Sequence, residues 1–160
     1  MRIGEIAVVG SKVEAKRNFI KAVSDDVEVQ NDSLIFGRIK INEQLIVHLY
    51  GLEYLDEDIQ PSWDLVSKKL LGYIVLFNWD AQEDLTAIQP MVNALEMRYS
   101  APIIVAAGLK SGLNDIPPQL IDTDFALSEQ CQFIFCNIND PASVKHTLLV
   151  LINTVLDSLK

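Results

Sequence analysis

Short apolar runs alternate with amphipathic stretches along this chain. Residues 6–9 form an unbroken apolar run, as in a central strand. Residues 16–23 place Phe19, Ile20 and Val23 on one face of a helix. Two alternating runs follow, 34–41 and 45–50, with Asn42 and Glu43 between them, which predicts a tight hairpin and an antiparallel pair. Residues 62–71 read as a helix and 73–77 as a buried strand. Residues 85–99 read as a helix with Ile88, Met91, Val92 and Leu95 inward and Pro90 bending it. Residues 103–107 form another buried strand, and Pro117 and Pro118 precede a short helix near Gln119. The last strand is 132–136, and Asp140 and Pro141 open the final helix as cap and first helical residue. Strands that alternate with helices predict an α/β class with a mostly parallel sheet. The expectation is six strands, with the hairpin adding one antiparallel edge strand, and helices on both faces.

Composition narrows the function classes. The chain has 160 residues, 49% of them apolar, which fits one domain spanning 1–160 with a sizeable core. No repeat, low-complexity segment or linker interrupts it. A formal net charge of -9 opposes any polyphosphate backbone, so nucleic acid is not an expected partner. No apolar run reaches the length of a membrane span, and the first residues lead into a strand without a secretion-signal pattern, so a cytoplasmic location is expected. Cys131 and Cys136 lack a zinc-type partner set; they could form a disulfide, but two reduced thiols are the favoured reading.

The chemistry-bearing segment follows the first strand: Gly10-Ser11-Lys12-Val13-Glu14-Ala15-Lys16-Arg17. A phosphate-binding loop needs Gly, four residues, Gly, Lys, then Ser or Thr. Gly10 and Lys16 keep that spacing. Ala15 replaces the second glycine, and Arg17 replaces the magnesium-binding hydroxyl with a cation that has no acceptor. Glu14 puts a carboxylate where an anion should sit. Two unit charges about 4 Å apart interact by roughly 1–4 kcal/mol, depending on exposure.

The order of elements resembles the small Ras-like GTPases, with their P-loop NTPase fold. Ser33-Leu34-Ile35-Phe36-Gly37-Arg38-Ile39, then Leu49-Tyr50-Gly51, then Trp63-Asp64-Leu65, is similar to a bacterial MglA-like and Arf-like subgroup associated with roadblock-type proteins. The similarity covers about residues 3–107. The resemblance implies a nucleotide pocket at Gly10, Lys16, Ser33 and Gly51, with GTP or GDP and magnesium as its ancestral ligands. It also implies losses. Ser33 aligns with the first-switch threonine, but Tyr54 stands at the glycine that senses the γ-phosphate. Leu55 stands at the water-orienting glutamine and cannot hydrogen-bond water. Ala107-Gly108-Leu109-Lys110 aligns with the guanine motif, which puts Lys110 where the base needs an acceptor. Cys136-Asn137-Ile138 aligns loosely with the last base-contacting motif.

The expectation is a degenerate member, a pseudo-GTPase that acts as an interaction or scaffold module. It would have no catalytic residue, metal or cofactor, and a roadblock-type protein would be its implied partner. The alternative is a divergent nucleotide switch built on Lys16, Ser33 and loop backbone, with weak or absent hydrolysis. A pocket kept for another anion is a third reading, and a receiver domain is disfavoured because Gly10 and Ser11 stand where its acidic pair belongs. Lys16 reads either as an anion ligand or as a solvated helix-start lysine, the second being favoured. The acidic run Glu53, Asp56, Glu57 and Asp58 reads as a solvated loop or a partner face, with a metal site disfavoured because EF-hand spacing is lacking. His48 and His146 read as non-catalytic, with His48 facing solvent or a helix edge. Cys136 reads as core, and Trp63 and Trp79 as buried or as interface anchors.

Overall fold

A computed structural model describes residues 2–10, 13–31, 34–52, 70–78, 102–109, 131–137 and 140–158. Seven strands occur in these segments: β1 (Arg2–Gly10), β2 (Asp26–Asn31), β3 (Leu34–Asn42), β4 (Leu45–Leu52), β5 (Leu70–Asn78), β6 (Ile103–Leu109) and β7 (Cys131–Asn137). The two described helices are α1 (Val13–Val23) and α2 (Pro141–Ser158). The strands form one mixed sheet in the order β2-β3-β4-β1-β5-β6-β7. β4, β1, β5, β6 and β7 run parallel, while β3 is antiparallel to both β2 and β4. The α/β class is therefore present.

Several details differ from the sequence expectation. The sheet has seven strands rather than six, because Asp26–Asn31 pairs with β3. The antiparallel strand β3 is consequently interior, and β2 is the edge. Leu70 and Leu71 open β5 instead of closing a helix. Both described helices pack on one sheet face. The helices expected at 62–69, 85–99 and near Gln119 lie outside the described residues, as does the rest of any second helical layer.

Pleating sorts the core. Ile6, Val8, Val47, Leu49, Ile74, Leu76, Ile104 and Ala106 point to the helix side. There they meet Phe19, Ile20 and Val23 of α1 and Val144, Leu148, Leu151 and Ile152 of α2. Ala7, Val9, Tyr73, Val75, Phe77, Ile103, Val105 and Ala107 point to the other side and are also buried. Burial on both faces explains why the central strands read as continuous apolar runs rather than alternating ones. The hairpin turn is Glu43-Gln44, one residue later than expected, because Asn42 stays in β3 and its Oδ1 accepts the Gln44 amide at 2.8 Å. α2 begins as its sequence predicts: Asp140 Oδ1 accepts the Ala142 amide at 3.0 Å, and its carbonyl accepts Val144 N–H at 3.1 Å.

Candidate functional site

The carboxyl ends of the five parallel strands share one margin of the sheet. Gly10, Leu52, Asn78, Leu109 and Asn137 end there. After β1 the chain fills positions on one side of it, then crosses to β5 on the other, so the chain order reverses at β1. In open α/β sheets such a reversal is where a ligand crevice forms. Gly10, Lys16 and Gly51 all belong to this neighbourhood; Ser33 lies outside the described residues.

The segment after Gly10 is where the geometry departs from a phosphate loop. α1 starts at Val13, so Val13, Glu14, Ala15 and Lys16 form its first turn. Only residues 11 and 12 separate strand from helix. A phosphate cradle needs successive amides turned inward by a loop that alternates right- and left-handed conformations. No described residue, glycine included, has a positive φ. Val13 and Glu14, the last two of the four residues between positions 10 and 15 that would wrap a phosphate, are wound into helix.

Lys16 is 2% exposed and has an interaction partner within the protein. The favoured expectation of a solvated lysine is thus corrected: its place in the helix turns it into the protein. A buried ammonium without a partner is costly, so its engagement is part of the packing of α1. Arg17 is half-buried and is also engaged.

The two glycines have packing roles that need no nucleotide. Gly10 lies opposite Leu76 of β5, and a Cβ there would meet the Leu76 carbonyl oxygen at 2.7 Å. Backbone on both sides leaves little room to yield. Gly51 is inside β4, between Val8 and Ile35. A Cβ on it would meet Ile20 Cδ1 at 2.9 Å, and one on Gly37 would meet Ile20 Cγ2 as well. Ile20 of α1 thus docks over two glycines on neighbouring strands, and glycine at these positions lets the helix come close to the sheet.

At the far end of the same margin the protein uses its own donors and acceptors. Asn137 N–H donates to Ser143 Oγ at 2.9 Å, and Asp140 N–H donates to the Asn137 carbonyl at 3.1 Å. Ser143 Oγ also lies 4.0 Å from Cys136 Sγ, and Thr147 Oγ1 donates to the Ser143 carbonyl at 3.1 Å. The segment aligned with the last base motif is therefore fastened to the start of α2. Ser143 carries no motif, and only its helix-start position hinted at such a use. Ala107, Gly108 and Leu109 remain in β6, with Ala107 opposite Phe77 and Phe135. Tyr54, Leu55, Lys110, Ile138, Trp63, Trp79 and the acidic run 53–58 lie outside the described residues. Cys131 and Cys136 are both buried free thiols.

A second polar group occupies the opposite face. Cross-strand pairing sets Asp26, Arg38, His48 and Glu5 in one row, with Phe36 and Tyr50 in the next. His48 is half-buried, with its ring edge-on to Phe36 at 5.0 Å. Burial and then the Arg38 charge hold its pKa below the ordinary value, while the Glu5 carboxylate acts the other way. Burial and Glu5 together raise the Tyr50 pKa. Among the described residues no group of three or more His, Cys, Asp and Glu side chains is placed to hold a metal. No described helix is long and apolar enough to cross a membrane. No family model and no curated protein matches the chain.

Proposed function

We propose that the chain is a degenerate small-GTPase-like module that works through protein interaction and has no useful affinity for GTP. The observation that carries this reading is the helical winding of Val13–Lys16 directly after a two-residue connection. A helix beginning there lines its first amides up along one axis, where a phosphate loop would turn them inward around a β-phosphate through backbone of alternating handedness. Arg17 supports the same reading, because it brings a cation to the position where magnesium would need an oxygen. The packing explanations for Gly10 and Gly51 account for their presence without a ligand. The P-loop fold assignment and a roadblock-type partner rest on the sequence resemblance, and both belong to this proposal.

Thermal melting with GTP and magnesium tests the reading. A ligand at 100 times its dissociation constant adds about 2.7 kcal/mol. For a domain of this size that shifts Tm by roughly 5–11 °C. The expected shift is none. Low-micromolar binding by calorimetry overturns the proposal in favour of a divergent nucleotide switch built on Lys16. Sulfate or phosphate binding without nucleotide binding would instead favour an anion pocket.

A further inference from the structure

The sheet ends on β2, which pairs with β3 alone among the described residues. A terminal strand presents a row of unpaired N–H and C=O groups on its outer side. The side chains of β2 alternate in character. Val27 is half-buried against the core beneath α1, while Asp26 and Glu28 stand exposed on the other face. Asp25, also exposed, precedes them, and β2 itself contains no Lys, Arg or Pro.

We propose that the β2 edge accepts an extended basic segment of a partner protein, added as an eighth strand. Its Lys or Arg side chains fall at alternate positions facing Asp26 and Glu28, and an apolar side chain between them lies beside Val27. The inference rests on the reading of the chain as an interaction module, and it names the chemistry of the partner. Main-chain hydrogen bonds give such an added strand its affinity, and alternate side chains give it specificity. The acidic residues decide the occupant. Antiparallel pairing of two copies centred on Val27 would set Asp26 against Glu28 of the other copy. Centred on Glu28, it would set two glutamates together. Like charges directly opposite each other destabilise a pair, and the net charge of -9 adds to the repulsion between copies. Edge charges ordinarily block pairing altogether; charges of a single sign block it selectively.

The test is an NMR titration of the isotope-labelled full chain with a synthetic peptide of alternating Lys and Val. The expected result is saturable shifts centred on the β2 amides, with their hydrogen exchange slowed at least tenfold on binding. The double variant Asp26→Lys, Glu28→Lys should lose affinity for that peptide at least tenfold and gain affinity for one of alternating Glu and Val. Circular dichroism checks that the variant stays folded. A peptide of alternating Lys and Pro, equal in charge but unable to add a strand, should not protect β2. Equal binding of the Lys-Pro peptide, shifts away from β2 or the absence of binding overturns the proposal. GTP with magnesium added to a parallel sample reports separately. Shifts around Gly10 and Lys16 would refute the interaction-module reading, whereas silence there together with no peptide binding refutes the edge proposal alone.

Discussion

Replacing Gly10 with alanine separates a glycine kept for packing from one kept for phosphate. The added Cβ would stand 2.7 Å from the Leu76 carbonyl oxygen, and Leu76 is itself fixed between β1 and β6. The obstacle is backbone in the middle of a parallel sheet, so relief requires β1 and β5 to part. Overpacking of this kind costs about 1–3 kcal/mol. Alanine restores roughly 0.5–1 kcal/mol by restricting the unfolded chain. At the middle of both ranges the net loss is about 1 kcal/mol, which lowers Tm by about 2–4 °C at this chain length. Differential scanning calorimetry in buffer free of nucleotide and phosphate measures it. A Gly10→Ala protein that melts at or above the original temperature would refute the packing account. If the same variant then lost a GTP-dependent shift that the original protein showed, Gly10 would belong to a working phosphate site.

Other outcomes follow from the same contacts. Lys16→Ala should destabilise the protein by at least about 2 kcal/mol in ligand-free urea unfolding, as for other long buried side chains, because Lys16 is buried and engaged; an unchanged midpoint would mark it as an unused ligand. Asp140→Ala removes the side-chain cap of α2 and should cost about 1 kcal/mol, seen as a Tm lower by about 2–4 °C. Leu151→Ala opens space above Gly72 in the core and should cost about 2–5 kcal/mol. His48 has a folded pKa below its ordinary value of 6.5. The unfolded chain therefore binds the proton more readily, so this stability contribution is present above pH 6.5 and is lost as pH falls through the folded value. Proton titration by NMR should show the His48 pKa rising in Arg38→Gln and falling further in Glu5→Gln; the opposite directions would refute the assigned neighbours.

What the sequence disclosed followed the strength of its periodicity. The six strands it predicted are all present, because each carries either a doubly buried apolar run, as at Ile74, Val75 and Leu76, or a clean alternation, as at Val47, His48 and Leu49. β2 escaped because Asp-Val-Glu-Val has only two apolar residues, and its two carboxylates look like solvated loop. Its alternation is nonetheless that of a strand with one face under a helix. The start of α1 was obscured for a different reason. A match to the phosphate-loop spacing implied a loop, whereas Glu14 and Ala15 are good helix formers and win once Phe19, Ile20 and Val23 anchor the helix. Lys16 is misjudged by its charge, because its place at i, with Phe19, Ile20 and Val23 at i+3, i+4 and i+7, puts it on the inward face.

The glycines show why matched spacing is weak support for matched chemistry. A phosphate loop needs glycine for backbone conformation, while a parallel sheet under a closely packed helix needs it for space. Both demands fall at the carboxyl end of the first strand, so one residue satisfies either. Gly10 meets the second demand through Leu76, and Gly51 meets it through Ile20. Residues whose chemistry a ligand would dictate discriminate better. Arg17 in place of a hydroxyl serves no magnesium ion, and a helix starting at Val13 has no use for the second loop glycine that Ala15 replaces. A lineage that lost nucleotide would keep the glycines its sheet requires and release the positions that served only the ligand. On the proposed reading, Gly10 and Gly51 are glycines the sheet requires and Ala15 and Arg17 occupy positions that serve only a ligand, which is the distribution that loss of the ligand would leave.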